Sequence, residues 1–267
     1  MTAKSELPEI THLASVGSTN DAARELASAG APHGAAVRAD VQLEGRGRRG
    51  HAWTSPAGGL YLSIVLRPGV PQHVMCGLPA ACGIGAARGL SAVGAAGVRI
   101  KWPNDLVAGP AGMGKLGGLL TEAGWADGGI FAVCGVGVNV DVPHVASPSP
   151  RALEPMGLEA CLPAGAPVPD LPQLARAVRD GVVAEVDRWA AAVLAAGPSA
   201  TPLTGIMDDY YDLLAYMGEQ VALIDREGAP LTGGVLTGVD AWGRALVTVA
   251  GRERPFDAAM ASLRPVG

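Results

Sequence analysis

Three arginines and three glycines interleave in Gly45-Arg46-Gly47-Arg48-Arg49-Gly50, with Gln42 before them and His51 and Trp53 after. Glycine lets a backbone approach a ligand closely. Guanidinium groups add permanent charge in a fork that matches phosphate and carboxylate oxygens. The whole chain carries a formal net charge of -5, so this cluster stands against the average. The chemistry it suggests is anion binding by a mobile loop that closes over its ligand. Two other readings stay open at this point, a solvated basic turn and an Arg-Gly nucleic-acid tract. Such tracts repeat and sit in disordered tails, whereas this one occurs once, between the apolar stretches 34–37 and 60–66.

Lysine usage adds a second signal. Of 20 basic side chains only Lys4, Lys101 and Lys115 are lysines, in a chain rich in Ala, Gly and Arg. Two of the three flank Trp102-Pro103-Asn104-Asp105 and a glycine-rich segment. A compact ammonium point charge is something the planar guanidinium cannot reproduce, so these positions are expected to need lysine.

These groups must be positioned by a sizeable frame. A chain of 267 residues, 49% of them apolar, can bury a large core in one domain, or in a large and a small one. The acidic balance argues against bulk nucleic-acid binding. The N-terminal residues lack the apolar stretch of a secretion signal, and no apolar run is expected to span a bilayer. A cytoplasmic protein without DNA or membrane partners is expected. Cys76, Cys82, Cys134 and Cys161 form no Cys-x-x-Cys pair and read as structural thiols.

Ser18-Thr19-Asn20-Asp21 reads as a helix start with polar capping candidates. Strands are expected over residues 37–41, 60–66, 98–100, 106–107, 116–122 and 130–140, and a buried helix over 79–93. The stretch 143–169 reads as a surface connection, followed by helices over 171–196 and 203–216. Short strands over 221–224, 233–239, 245–249 and 262–263, separated by turns, point to a small β-barrel.

Ser18-Thr19-Asn20, the Gln42 to Trp53 loop, Lys101-Trp-Pro-Asn-Asp105, Lys115-Leu-Gly-Gly-Leu-Leu-Thr-Glu122 and Gly135-Val-Gly-Val-Asn139 occur in this order. Together they resemble the catalytic domain of biotin protein ligases (biotin–acetyl-CoA-carboxylase ligases). The C-terminal Gly238-Val-Asp-Ala-Trp-Gly-Arg-Ala-Leu246 is similar to that family's SH3-like barrel. The resemblance implies an α/β (α+β) fold, a mixed sheet with helices like the class II aminoacyl-tRNA synthetases. It places a catalytic domain at 1–217 and the SH3-like domain at 218–267.

The resemblance also implies two half-reactions. Biotin and ATP give biotinyl-5'-AMP, and the biotinyl group then passes to a lysine of a biotin carboxyl carrier domain of acyl-CoA carboxylases. Because biotin's own carboxylate is the nucleophile, the enzyme needs charge and positioning rather than a nucleophilic side chain. By resemblance, Ser18, Thr19, Asn20 and Gln42 bind the ureido end of biotin, and Arg46, Gly47 and Arg48 border its tail and carboxylate. Lys115, with Arg48, is the catalytic cation beside carboxylate and α-phosphate. Arg48, His51, Trp53, Lys101, Asn104, Asp105 and Asn139 are assigned to ATP, with Asp105 holding Mg²⁺. His51 replaces an arginine found in many relatives, and the loop 108–114 is longer than in familiar bacterial ones. Ser18 lies so near the start of the chain that a ligase without a helix-turn-helix repressor domain is expected, as a monomer or ligand-linked homodimer. A lipoate-type protein ligase, a non-catalytic biotin-sensing regulator and an RNA-binding protein are the competing readings.

Overall fold

The computed structural model describes residues 6–109, 114–126, 129–142 and 153–266. Residues 110–113, which carry most of the longer loop, and 143–152 of the surface connection lie outside the described residues. The strands β1 (Thr11–Val16), β2 (Ala36–Gln42), β3 (Leu60–Leu66), β4 (Arg99–Lys101), β5 (Asp105–Ala108), β6 (Gly114–Ala126) and β7 (Gly129–Val138) form one seven-stranded sheet. Its order is β1-β2-β3-β7-β6-β5-β4. Only β1 and β2 run parallel; the other neighbours are antiparallel.

The interior strand β3 is buried along its whole length, because both faces of the sheet are covered there. Leu60, Leu62, Ile64 and Leu66 point to one side and join the cluster built with helices α2 (Leu78–Ala92) and α3 (Leu171–Ala196). Val65, with Val37 and Val133, points to the other side and meets Ala23 and Ala27 of helix α1 (Thr19–Ser28). Full burial of each such aliphatic side chain contributes about 1.5–3 kcal/mol. The helices α2 and α3 approach closely at small residues: a Cβ on Gly85 would lie 2.6 Å from the Gly181 carbonyl oxygen.

A short helix, α4 (Met207–Leu213), leads to the second sheet. This comprises β8 (Gln220–Ile224), β9 (Pro230–Val239), β10 (Ala245–Val249), β11 (Arg252–Phe256) and β12 (Ser262–Pro265), all antiparallel, in the order β11-β10-β9-β8-β12. Val221, Leu223, Leu236, Val247 and Leu263 of this sheet belong to the same apolar cluster as the large sheet. The small unit is therefore built onto the large one.

Several expectations need correction. The strand β1 gives no apolar signal because most of it is exposed, and β11 is an edge strand of charged residues and proline. The helix expected over 203–216 shrinks to α4, because tertiary partners claim its ends: Leu203 N–H donates to Ala241 O and Ala215 N–H to Ile100 O. The segment Gln72–Ala92 holds an 18-residue window of mean hydropathy 1.2, long and apolar enough to cross a membrane by length and composition alone, a test that buried core helices also meet. Here 67% of that window is buried inside the protein, as the core helix that packs on α3.

Candidate active site

The sheet face beside α1 carries the site. Strand alternation puts Tyr61 and Ser63 of β3 on that face, opposite Gly137 and Gly135 of β7. A Cβ on Gly135 would lie 2.2 Å from Asn20 Oδ1, and one on Gly137 would lie 2.9 Å from Trp53 Nε1. Glycine at these two positions is what lets Asn20 and Trp53 rest against the sheet. The two contacts sit about 7 Å apart along one strand, so they mark an axis for the site.

At the Gly135 end the polar groups bond one another. Thr19 donates its N–H and its hydroxyl to Gln42 Oε1, at 2.8 and 2.9 Å. Gln42 Nε2 donates to Ser55 Oγ at 2.9 Å, and Ser55 donates to Trp53 O at 3.1 Å. The Ser63 hydroxyl lies 2.8 Å from Thr19 Oγ1 and 2.6 Å from Asn20 Oδ1. Asn20 Nδ2 donates to Glu122 at 2.7 Å, and Glu122 pairs with Arg24 at 3.2 Å. Ser18 occupies the N-cap position of α1, yet no side-chain cap bond forms. Ser18, Thr19 and Asn20 are buried in the cavity wall, and a buried polar group takes whichever partner its surroundings offer.

Beyond Gly137 the site turns cationic, and a register shift does the turning. Asp105 pairs with Gly118 and Leu106 with Gly117, but Val107 pairs with Lys115. Leu116 is the extra residue of a β-bulge, and it is fully buried. The bulge brings Lys115 to the same face as Asp105 and Gly118; strict alternation would point it away. Lys115 Nζ lies 2.8 Å from Asp105 Oδ1 and 5.1 Å from the centre of the Trp53 ring. Lys101, the cross-strand partner of Asp105, reaches Asp105 Oδ2 at 2.6 Å and donates to Leu263 O at 3.1 Å. Burial opposes ionisation of Asp105, but the charges of Lys101 and Lys115 prevail and hold its carboxyl well below the usual range. Burial pulls Lys101 down from the usual lysine range, against the opposing pull of Asp105.

The arginine loop spans the gap to the second sheet. Arg46 makes a two-pronged pair with Asp21, at 2.5 and 2.7 Å. Arg48 and Arg49 both donate to the Ala258 carbonyl, at 2.5 and 2.9 Å, and Arg49 also reaches Asp225 O at 3.3 Å. Arg49 takes φ 60°, a left-handed conformation that costs about 1–2 kcal/mol in a residue with a Cβ. Its contacts with Ala258 and Asp225 hold it there. The loop is thus docked at α1 and at two turns of the small unit.

A cavity of about 740 Å³ runs between these groups. Ser18, Thr19, Asn20, Gln42, Arg46, Gly47, Arg48, His51, Trp53, Lys101, Asn104, Asp105, Lys115 and Asn139 all line it, so every residue singled out from sequence comes to one place. Some face it differently than expected. Lys101 is only 1% exposed, with its ammonium turned to Asp105 and Leu263, which leaves it no surface for a phosphate. Asn139 donates its amide to Lys115 O at 3.0 Å, and Asn104 donates to Leu119 O at 2.8 Å, so both brace the reactive strands.

Magnesium at Asp105 does not fit this donor set, since both carboxylate oxygens face ammonium groups. Among the described residues no three His, Cys, Asp or Glu side chains converge as a metal site. The sequence reading missed Ser55 and Ser63 in the polar network, and Asp21 as the partner of Arg46. It also missed Arg226 and Arg264 in the cavity wall. Single serines and arginines on strands and turns carry no spacing signal.

Known proteins resemble this chain in sequence and in fold. The model of the biotin/lipoate A/B protein ligase family matches residues 13–139. The biotin–[acetyl-CoA-carboxylase] ligase of Paracoccus denitrificans is 38% identical over 151 residues, 55% of this chain and 61% of its own length. That of Mycobacterium tuberculosis is 30% identical over 247 residues, 90% of this chain and 83% of its own. The chain spans between 38% and 61% of the length of the first curated relatives it matches. Among solved structures, the biotin protein ligase of Aquifex aeolicus in complex with biotin and ATP superposes with a TM-score of 0.75 at 22% identity, covering 97% of this chain and 100% of that one. That likeness speaks for the fold, and the Mycobacterium relative for the descent. The chain belongs to the biotin protein ligases, within the biotin/lipoate A/B protein ligase family.

Proposed function

We propose that the chain is a biotin protein ligase that makes biotinyl-5'-AMP and passes biotin to a lysine of biotin carboxyl carrier domains of acyl-CoA carboxylases. One observation carries the reading: a single cavity joins a hydrogen-bonded amide and hydroxyl cluster to a cationic end built around Lys115. The first end suits the cyclic urea of biotin, which needs a donor and acceptors in fixed places. The second suits two anions that must approach each other.

In the first half-reaction a carboxylate oxygen of biotin attacks the α-phosphorus of ATP, and the bond to the bridging oxygen of the β-phosphate breaks. Pyrophosphate leaves with the electron pair. Lys115 and Arg48 stabilise charge that builds on the α-phosphoryl oxygens, and Arg46 and Gly47 close over the tail of biotin. Trp53 flanks the adenine side, with His51 at the mouth and Asn104 and Asn139 bracing the strands beneath. In the second half-reaction the neutral amine of the acceptor lysine attacks the acyl carbon, AMP leaves, and the amine loses its proton. Any Mg²⁺ would travel with the phosphates of ATP; Asp105 holds none in this scheme. Residues 1–217 act as the catalytic unit and 218–267 as its brace.

The test is pyrophosphate release by the purified protein with ATP, Mg²⁺ and either biotin or lipoate, without acceptor. Biotin-dependent release is expected. Release with lipoate alone would move the chain to the lipoate branch, and none with either acid would end the ligase reading.

A further inference from the structure

We infer that Asp105 is the positioning residue of this site, its carboxylate fixing the Lys115 ammonium while Lys101 behind it fixes the carboxylate to the small sheet. The inference rests on the ligase reading above and gives a part to two residues that reading leaves without contact to substrate.

Lysine has four rotatable side-chain bonds, and a free one samples many positions. Lys115 is not free: Asp105 Oδ1 holds its Nζ at 2.8 Å, and the Trp53 ring lies beneath it at 5.1 Å. A carboxylate that held a catalytic cation would normally also cancel its charge. Lys101 removes that penalty. With Lys101 at +1, Asp105 at -1 and Lys115 at +1, the trio keeps one net positive charge, and Lys115 is the most exposed of the three. The side chain of Lys101 is 2% exposed, against 31% for Lys115. Lys101 also donates to Leu263 O in β12, so the small sheet anchors the far end of the chain of contacts. This gives the second sheet a way to act on the reaction without touching a reacting atom.

Asp105→Glu tests this. It keeps every charge, so Lys101 remains compensated, but carries the carboxylate one methylene farther. Biotin-dependent pyrophosphate–ATP exchange should lose about 100-fold in kcat, the scale of an ångström-sized misplacement. KM for biotin and the Mg²⁺ concentration for half-maximal rate should stay unchanged. The same substitution in a Lys115→Ala background should cost little further, because the group it positions is gone. A full rate in Asp105→Glu would mean that Asp105 only neutralises Lys101, and would overturn the inference. Recovery of the rate at higher Mg²⁺ would overturn it in favour of a metal ligand, and an additive loss with Lys115→Ala would make Asp105 independent of Lys115. Lys101→Met/Asp105→Asn removes both buried charges together and serves if Asp105→Glu does not fold; it too should show the loss in kcat. Absence of exchange in the unaltered protein would instead count against the ligase reading itself.

Discussion

The two ends of the cavity are built on different principles. At the Asn20 end, amides and hydroxyls of α1, β2, β3 and Ser55 bond one another, and the one carboxylate among them, Glu122 of β6, is cancelled by Arg24; every member comes from the large unit. At the Lys115 end the groups are charged, and their anchors include Leu263, Asp225 and Ala258 of the small unit. A recognition surface can be finished inside one frame, because neutral hydrogen bonds fix geometry at short range. A surface that must meet two anions needs uncancelled charge, and such charge needs restraint from more than one side.

The sharpest way to break this comparison is to remove the central cation. Lys115→Ala should lower adenylate formation by about 100- to 1000-fold, as loss of preorganised charge does elsewhere, while biotin affinity by calorimetry stays close to normal. Lys115→Arg should also be poor, since a planar fork does not fit a point-charge site. If biotin affinity fell with the rate, the two ends would not be separable.

Gly135→Ala probes the other end. Its Cβ would lie 2.2 Å from Asn20 Oδ1, so Asn20 must move. Overpacking of this kind costs about 1–3 kcal/mol, and it should appear as a raised Kd for biotin, with kcat at saturating biotin largely kept. An unchanged Kd would remove Asn20 from recognition.

Thr19→Val should act more gently. It takes one donor from Gln42 Oε1 but leaves the Thr19 N–H in place. A loss of about 1 kcal/mol in biotin binding is expected, again with kcat kept. A larger effect on kcat than on Kd would contradict the division.

The smallest effect concerns the loop that joins both ends. Asp21→Ala releases Arg46 from its two-pronged pair, and trypsin should then cut faster after Arg46 in the ligand-free protein. Biotin and ATP together should restore protection. Equal cleavage with and without Asp21 would show that the small unit alone holds the loop.

The elements that could be read from sequence are those whose pattern is internal. The continuous apolar run of β3 and the long periodic α3 were visible because burial on both faces, or along one stripe, leaves a mark in the residues themselves. β1 and β11 left none, since exposed edge strands owe their form to the neighbour that pairs with them. The site behaves the same way. Lys115 stood out by its rarity and the arginine loop by its charge. The partners of Lys101 did not, because Leu263 follows it by 162 positions in the chain and contributes only a backbone carbonyl, which no side chain advertises.

The bulge at Leu116 makes the reactivity of this protein a matter of parity. Lys115 faces the cavity because one residue too many lies between it and Gly117, relative to the partner strand. Inserting one residue between Leu106 and Val107 would give Leu116 a partner, restore perfect alternation and send the ammonium toward the apolar side, with every side chain of the active site chemically intact. The shortest path to an inert relative of this chain is therefore a three-base insertion in the partner strand, a change that a search for altered catalytic residues would pass over.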